Sequence, residues 1–193
     1  MDGWKTHQGR AVHLAQDNID TDQLIPARFM SAPRSEGYGQ FLLHDMRRDS
    51  EGVPLADFPL NIADTASVLL AGANFGSGSS REAAVYALVD AGFRAVIAPS
   101  FGDIFASNAV NNGLLPAVVA RDDLMKIATD TTLTITLEDR RITDGNIAVP
   151  FDLPDTWATK LINGWDDIDL TLHHAETIAA FKDTRAAWTR PAT

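Results

Sequence analysis

No cysteine occurs among the 193 residues of this chain. Disulfides within it are thereby excluded, and so is any metal cluster held by its own thiolates. Long apolar runs are missing too, since none approaches the ~18 residues that a membrane-spanning helix needs. The opening residues, Met1-Asp2-Gly3-Trp4-Lys5, carry neither the apolar core of a secretion signal nor the basic amphipathic character of a transit peptide. These absences predict a cytoplasmic protein with no membrane contact. Positive charge is scarce: 16 Lys and Arg stand against 26 Asp and Glu, a formal net charge of −10. That balance argues against nucleic acid and anionic membranes as partners. An acidic ligand would need a local positive pocket, because the overall field repels it.

Several familiar signatures are absent as well. After Gly78 the chain reads Ser79-Ser80-Arg81, without the lysine of a phosphate-binding P-loop. The spacing of Gly72, Gly76 and Gly78 misses the dinucleotide pattern. Asp17, Asp20 and Asp22 suggest a calcium loop, yet Asp22 and Arg28 stand where that loop needs glycine and glutamate. His7, His13 and His44 are isolated, and the adjacent His173 and His174, at a helix start, would face different directions on the surface. No metal site is predicted in this chain.

What is present reads as a single α/β domain over residues 1–193, with 45% hydrophobic residues and enough length for a good core. A weakly alternating strand is expected at residues 10–15, a short helix at 41–46, and irregular chain at 49–66. The middle is clearer. Apolar strands at 67–71, 93–98 and 114–120 alternate with helices at 81–91 and 102–112, the helices stopped by Gly92 and Gly113. Such alternation implies a parallel sheet. Residues 132–138 alternate with period two, turn at 139–141 and continue at 142–143, a hairpin pattern. A helical tail at 173–188 offers Ile178, Phe181 and Trp188 as core anchors, and Trp157 and Trp165 read as packing anchors too.

The most informative stretch is residues 73–82, A-N-F-G-S-G-S-S-R-E, between an apolar strand and a helix. A glycine-rich turn there gathers backbone N–H groups at the positive end of a helix dipole, which favours an anion. Ser79 and Glu82 also fit a capping box, a purely structural account of those two residues. That account leaves Arg81 unexplained, because a cation at a helix N-terminus opposes the dipole. It also leaves Gly76 and Gly78 unexplained. An anion site explains all three.

Several segments in order then carry a resemblance. They are Asn18-Ile19-Asp20-Thr21-Asp22-Gln23-Leu24-Ile25-Pro26, Asn74-Phe75-Gly76-Ser77-Gly78-Ser79-Ser80-Arg81-Glu82, Ala98-Pro99-Ser100-Phe101-Gly102-Asp103-Ile104-Phe105, Asn111-Asn112-Gly113-Leu114-Leu115-Pro116, and the segment from Asn163 to Leu172. Together they resemble the small subunit of 3-isopropylmalate dehydratase, the counterpart of the swivelling domain of aconitase.

The resemblance implies a swivelling β/β/α domain with a mostly parallel core and an added C-terminal hairpin and helix. It implies a large-subunit partner carrying a four-iron, four-sulfur cluster, none of it bound by this chain. The implied reaction isomerises 2-isopropylmalate and 3-isopropylmalate through a dehydrated alkene, in leucine biosynthesis. By position, Ser79 would be the catalytic base, Ser80 and Arg81 would hold the substrate carboxylate, and Asp22 would orient. A serine alkoxide needs stabilisation from the helix end, the Gly76 and Gly78 amides and a nearby cation. Phe29 and Met30, in the family's specificity loop, would offer an apolar wall to the alkyl group, with Arg28 and Arg34 close by in sequence. Residues 27–40, rich in Gly, Ser and Pro, are expected to be mobile without the partner. Ser77 and Ala83-Ala84 depart from common family residues, which keeps open a paralogous hydro-lyase for another alkyl-malate. A non-catalytic module binding a small carboxylate is the alternative from another class.

Overall fold

Strand β1 (Thr6–Leu14) is the seam of the molecule. On one side of it lie β2 (Val68–Ala71), β3 (Ala95–Ala98) and β4 (Leu115–Val118), and on the other β5 (Thr132–Thr136), β6 (Arg141–Thr143) and β7 (Ala148–Pro150). The seven-stranded sheet has the order β4-β3-β2-β1-β5-β6-β7. Pairings from β1 to β4 are parallel and those from β1 to β7 antiparallel. The structure is a computed structural model and describes residues 2–63, 65–128 and 131–184.

The parallel strands are apolar throughout because both faces are covered. Leu69, Ala71, Val96 and Ala98 point into one core, beneath α3 (Glu82–Asp90) and the segment from α1 (Thr21–Leu24) to α2 (Pro59–Ile62). Val68, Leu70, Ala95, Ile97, Leu115 and Ala117 point into the other, beneath α5 (Arg121–Leu124) and α6 (Asp155–Asn163), with the inner faces of β5, β6 and β7. Helix α4 (Asp103–Asn111) contributes Phe105 and Ala109 to the first core and Val110 to the second. Helices α7 (Asp167–His173) and α8 (Ala175–Thr184) complete the described chain.

Four expectations need correction. The first strand begins at Thr6, not residue 10, because the polar stretch Thr6 to Arg10 pairs with Thr136 to Thr132 of β5. No helix forms at 41–46: a 3₁₀ turn at Gly39–Phe41 gives way to turns, and Leu43 sits at φ 51. Its N–H is turned onto the Leu24 carbonyl at 2.9 Å. Strand β7 is an addition to the hairpin that the sequence did not announce. The tail is two helices with His174 between them, so His173 and His174 stand at a helix end, exposed. Ile178 and Phe181 are exposed rather than core anchors, and Trp188 lies outside the described residues. Trp157 does pack against the second core, and the Trp165 ring lies 4.8 Å from that of His173.

Candidate active site

Parallel neighbours send their outgoing loops to the same end of a sheet, and three such loops are laid side by side here. The pairing of β1 with β2 continues into them: Asn18 N donates to the Ala73 carbonyl at 2.8 Å, Gly76 N to Ile19 at 2.7 Å and Thr21 N to Ser77 at 2.9 Å. The loop after β3 joins from the other flank, with Phe75 N on the Ser100 carbonyl at 3.1 Å and Gly102 N on Phe75 at 2.9 Å. Gly76 is in the left-handed region at φ 72, and a Cβ there would run into the Phe105 ring. A Cβ on Gly102 would lie 2.7 Å from the Gly76 carbonyl oxygen. Both glycines are therefore dictated by backbone approach.

On this base lies a cleft of about 210 Å³, lined by Gly76, Ser77, Gly78, Ser79 and the residues Gly102 to Phe105 at the start of α4. Ser79 and Ser80 are exposed, and neither hydroxyl has a partner among the described residues. The backbone of Ser79, in contrast, is pinned. Its carbonyl accepts from Arg81 N at 2.7 Å and from the Thr21 hydroxyl at 3.0 Å. Thr21 is itself only 2% exposed.

The expected capping box at Ser79 and Glu82 does not form. Helix α3 starts at Glu82 with Arg81 at its N-cap, and no side chain caps it. The positive φ of Gly78, 94°, carries the chain past Ser79 before the helix begins. Glu82 instead accepts from the Asn112 side-chain amide at 2.9 Å. The capping box of this region belongs to α1: Gln23 N donates to Asp20 at 2.7 Å, and Asp20 N to the Gln23 side chain at 2.9 Å.

Arg81 and Asp22, 59 positions apart, meet in an ion pair. The Arg81 side chain is 19% exposed and that of Asp22 55%, so the guanidinium is largely covered while its counter-charge faces solvent. A substrate carboxylate could take the place of Asp22 on the same planar fork. Asp22, Ser79, Ser80, Arg81, Gly76 and Gly78 are thus assembled around two adjoining loops.

Phe29 and Met30 do not line this cleft. The Phe29 ring stacks on Phe41 at 4.5 Å and meets His44 at 4.7 Å, with the Arg28 guanidinium over its face. Arg28 also binds Asp45 at 2.8 Å and, with His44, holds that carboxyl down at about 2. Met30 is exposed. The segment is fastened further by Arg34 on Asp90 at 2.8 Å and by Tyr38 N on the same carboxylate at 2.6 Å.

A larger concavity of about 540 Å³ opens beside His13, Asp17, Gly72, Arg121 and Met125. Its charges are spent on each other and on the backbone. Asp17 accepts from Ala73 N at 2.7 Å and from Arg121 at 3.0 Å, and these bonds hold its carboxyl below the usual range. Apart from His13 it offers no nucleophile, whereas the smaller cleft presents the free Ser79 hydroxyl, so the smaller cleft is the better candidate. Sequence reasoning missed Thr21, although a threonine inside Asp20-Thr21-Asp22, with glutamine following at Gln23, carries the signal of a capped turn.

Residues 1–122 match the family model of the aconitase C-terminal domain. The chain is 44% identical over 187 residues to the 3-isopropylmalate dehydratase small subunit of Listeria monocytogenes serotype 4a, covering 94% of this chain and 97% of that one. It is 44% identical over 199 residues to the corresponding small subunit of Bacillus pumilus, with 98% and 100% covered. Among solved structures, 3-isopropylmalate dehydratase from Methanocaldococcus jannaschii superposes with a TM-score of 0.68 at 28% identity, over 92% of this chain and 99% of that one.

Proposed function

This chain belongs to the aconitase C-terminal domain family, among the small subunits of 3-isopropylmalate dehydratase, and from that premise we propose that Ser79 is the general base of a hydro-lyase site completed by a large subunit. The enzyme interconverts 2-isopropylmalate and 3-isopropylmalate in leucine biosynthesis. Dehydration removes a proton from the carbon beside a carboxylate and a hydroxide from its neighbour, and rehydration reverses the two positions.

The observation that carries the reading is the presentation of Ser79: a free, exposed hydroxyl on a backbone pinned by Thr21 and Arg81, beside an uncapped helix N-terminus. Ser79 Oγ takes the proton. The Arg81 guanidinium and the Ser80 hydroxyl hold the adjacent carboxylate, so that the C–H bond faces Ser79. The Gly78 backbone and the positive end of α3 favour the ionised serine, whereas the Gly76 N–H, expected to share in this, is already spent on the Ile19 carbonyl. Asp22 keeps Arg81 in place until substrate arrives. Phe29 and Met30 form the wall for the isopropyl group once closure of residues 27–40 breaks the ties of Arg28 to Asp45 and Arg34 to Asp90, Met30 being already exposed.

A four-iron, four-sulfur cluster belongs to this chemistry, on the large subunit. The residues of this chain do not fit it: there is no cysteine, and no group of three or more potential ligands occurs among the described residues. The cluster would supply the chemistry of the hydroxyl on the partner, and proton transfer and carboxylate binding are what the residues of this chain offer. Assays of the chain with and without the large subunit, on isopropyl-, methyl- and dimethyl-malates, test the proposal. Turnover that needs both subunits and is fastest on the isopropyl substrate supports it. Carboxylate binding without turnover in the complex would leave only a binding module.

A further inference from the structure

Ile168, Leu172, Ala175, Ile178 and Phe181 follow one another at spacings of four and three residues, the period of one helical face. In the structure that face is largely exposed among the described residues: Ile168 is 69% exposed, Leu172 64%, Ile178 48% and Phe181 67%. No residue of α7 or α8 is buried. A ten-residue helix standing in water by itself is marginal, because most helical stability in proteins comes from packing an apolar face. A contiguous apolar stripe of this kind marks an interaction surface.

The root of the stripe is fixed firmly. Lys160, buried to 2% exposure, donates to Asp167 at 2.6 Å and to the Asn111 side chain, while Asn111 donates back to Asp167 at 3.0 Å. Asp166 caps α7 through the amides of Ile168 at 2.8 Å and Asp169 at 2.9 Å. The stripe thus leaves the body in a set direction, ordered before any partner arrives.

Two observations identify what covers it. Asp166, Asp167, Asp169 and Glu176 border the stripe on a chain of net charge −10, so a second copy would set like charges against each other. The root also adjoins the candidate site: Asn111 binds α7, and its neighbour Asn112 binds Glu82, the residue after Arg81. Through these two bonds the root of the stripe is tied to the first residue of α3, beside the Arg81 of the site that a large subunit must complete. We propose that the apolar face of α7 and α8 docks the large subunit, in an apolar groove rimmed by Lys and Arg. The inference rests on the small-subunit reading above.

The test uses the full-length chain carrying Ile178→Glu and Phe181→Glu, both at positions already exposed. Its affinity for the separately purified large subunit is measured by calorimetric titration and sedimentation velocity. The expected result is a dissociation constant raised a hundredfold or more, an unchanged melting temperature for the small subunit alone, and turnover restored at saturating large subunit. Unchanged affinity overturns the proposal. If the melting temperature falls at unchanged affinity, the face is covered by residues 185–193. If a dimer of the wild-type small subunit dissolves in the variant at unchanged affinity, it is covered by a second copy. A wild-type complex that forms and depends on the stripe but turns nothing over defeats the functional reading and leaves the surface standing.

Discussion

On the parallel side of β1, three loops leave neighbouring strands at one end and lie against each other, whereas on the antiparallel side each loop returns within a few residues to its own partner strand. The consequence appears in the polar groups. The turn between β6 and β7 satisfies itself: Thr143 donates to the Ile147 carbonyl at 2.6 Å, and Asp144 accepts from Asn146 N at 2.8 Å and Ile147 N at 3.0 Å. Those two amides hold the Asp144 carboxyl below the usual range. Between the parallel loops, backbone bonds are joined by side-chain ones such as Asn74 on Asn18 and Arg81 on Asp22, yet the hydroxyls of Ser79 and Ser80 are left for a ligand. Parallel topology brings residues distant in sequence together and here leaves two hydroxyls unspent, whereas the antiparallel turn pairs only its own neighbours.

The sharpest way to break this contrast is Ser79→Ala. Loss of a positioned general base lowers turnover by roughly 10²–10⁴-fold. Because Ser79 does not cap α3, the melting temperature should stay where it is, without the ~0.5–2 kcal/mol that loss of a true cap costs. Steady-state kinetics on the reconstituted complex and thermal melts read the two effects separately. Near-wild-type turnover would reduce the loop to structure. Arg81→Lys comes next. It keeps the charge but loses the planar fork, so KM should rise about tenfold or more with a smaller change in kcat. A change confined to kcat would instead place Arg81 on the transition state alone.

Thr21 gives a third and smaller effect. Thr21→Val removes one of the two bonds to the Ser79 carbonyl and keeps the shape, at a cost of about 0.5–1.5 kcal/mol, since Arg81 N still meets the acceptor. A several-fold loss in kcat is expected with KM little changed, and Thr21→Ser should recover both stability and rate. If serine restores stability alone, Thr21 holds the fold without aiming the base.

How legible these features are depends on how local their causes are. Strands β2, β3 and β4 are readable because burial on both faces makes continuous apolar runs, and α3 and α4 because glycine stops each one. Strand β7 has three residues, ends at Pro150 and shows no full period, so nothing distinguished it. The serines and Arg81 stood out because glycines and a cation conflicted with a plain capped helix. The meeting of Asp22 with Arg81 was beyond reach of spacing, since it follows from β1 lying beside β2. The S-x-x-E pattern misled because pattern matching cannot see the φ of Gly78. The tail misled in another way: periodicity finds an apolar face but does not say whether the same chain covers it.

The smallest effect tests the seam itself, at the end away from the site. His7 pairs across to Ile135 of β5, and its ring shares a hydrogen bond of 2.8 Å with Ser67, the residue before β2. Burial, with Arg94 as a second cause, pushes the imidazole below its ordinary value. The folded protein therefore resists protonation more than the unfolded chain does. Its contribution to stability is complete above the unfolded value of about 6.5 and is lost as pH falls through the lower folded value. The depressed carboxyls of Asp17, Asp45 and Asp167 act in the same direction, but only as pH falls below about 4, which leaves an interval belonging to the imidazole. Melting temperature should decline modestly from pH 7 to pH 5, and His7→Gln should flatten that decline. Along a strand at ~3.3 Å per residue, His7 lies about 23 Å from the end of β1 where the loops begin. Turnover should accordingly be untouched by the same substitution in the assembled enzyme. A change in kcat with His7→Gln would show that the two sides of β1 are coupled through the seam, and the division of labour between them would fail.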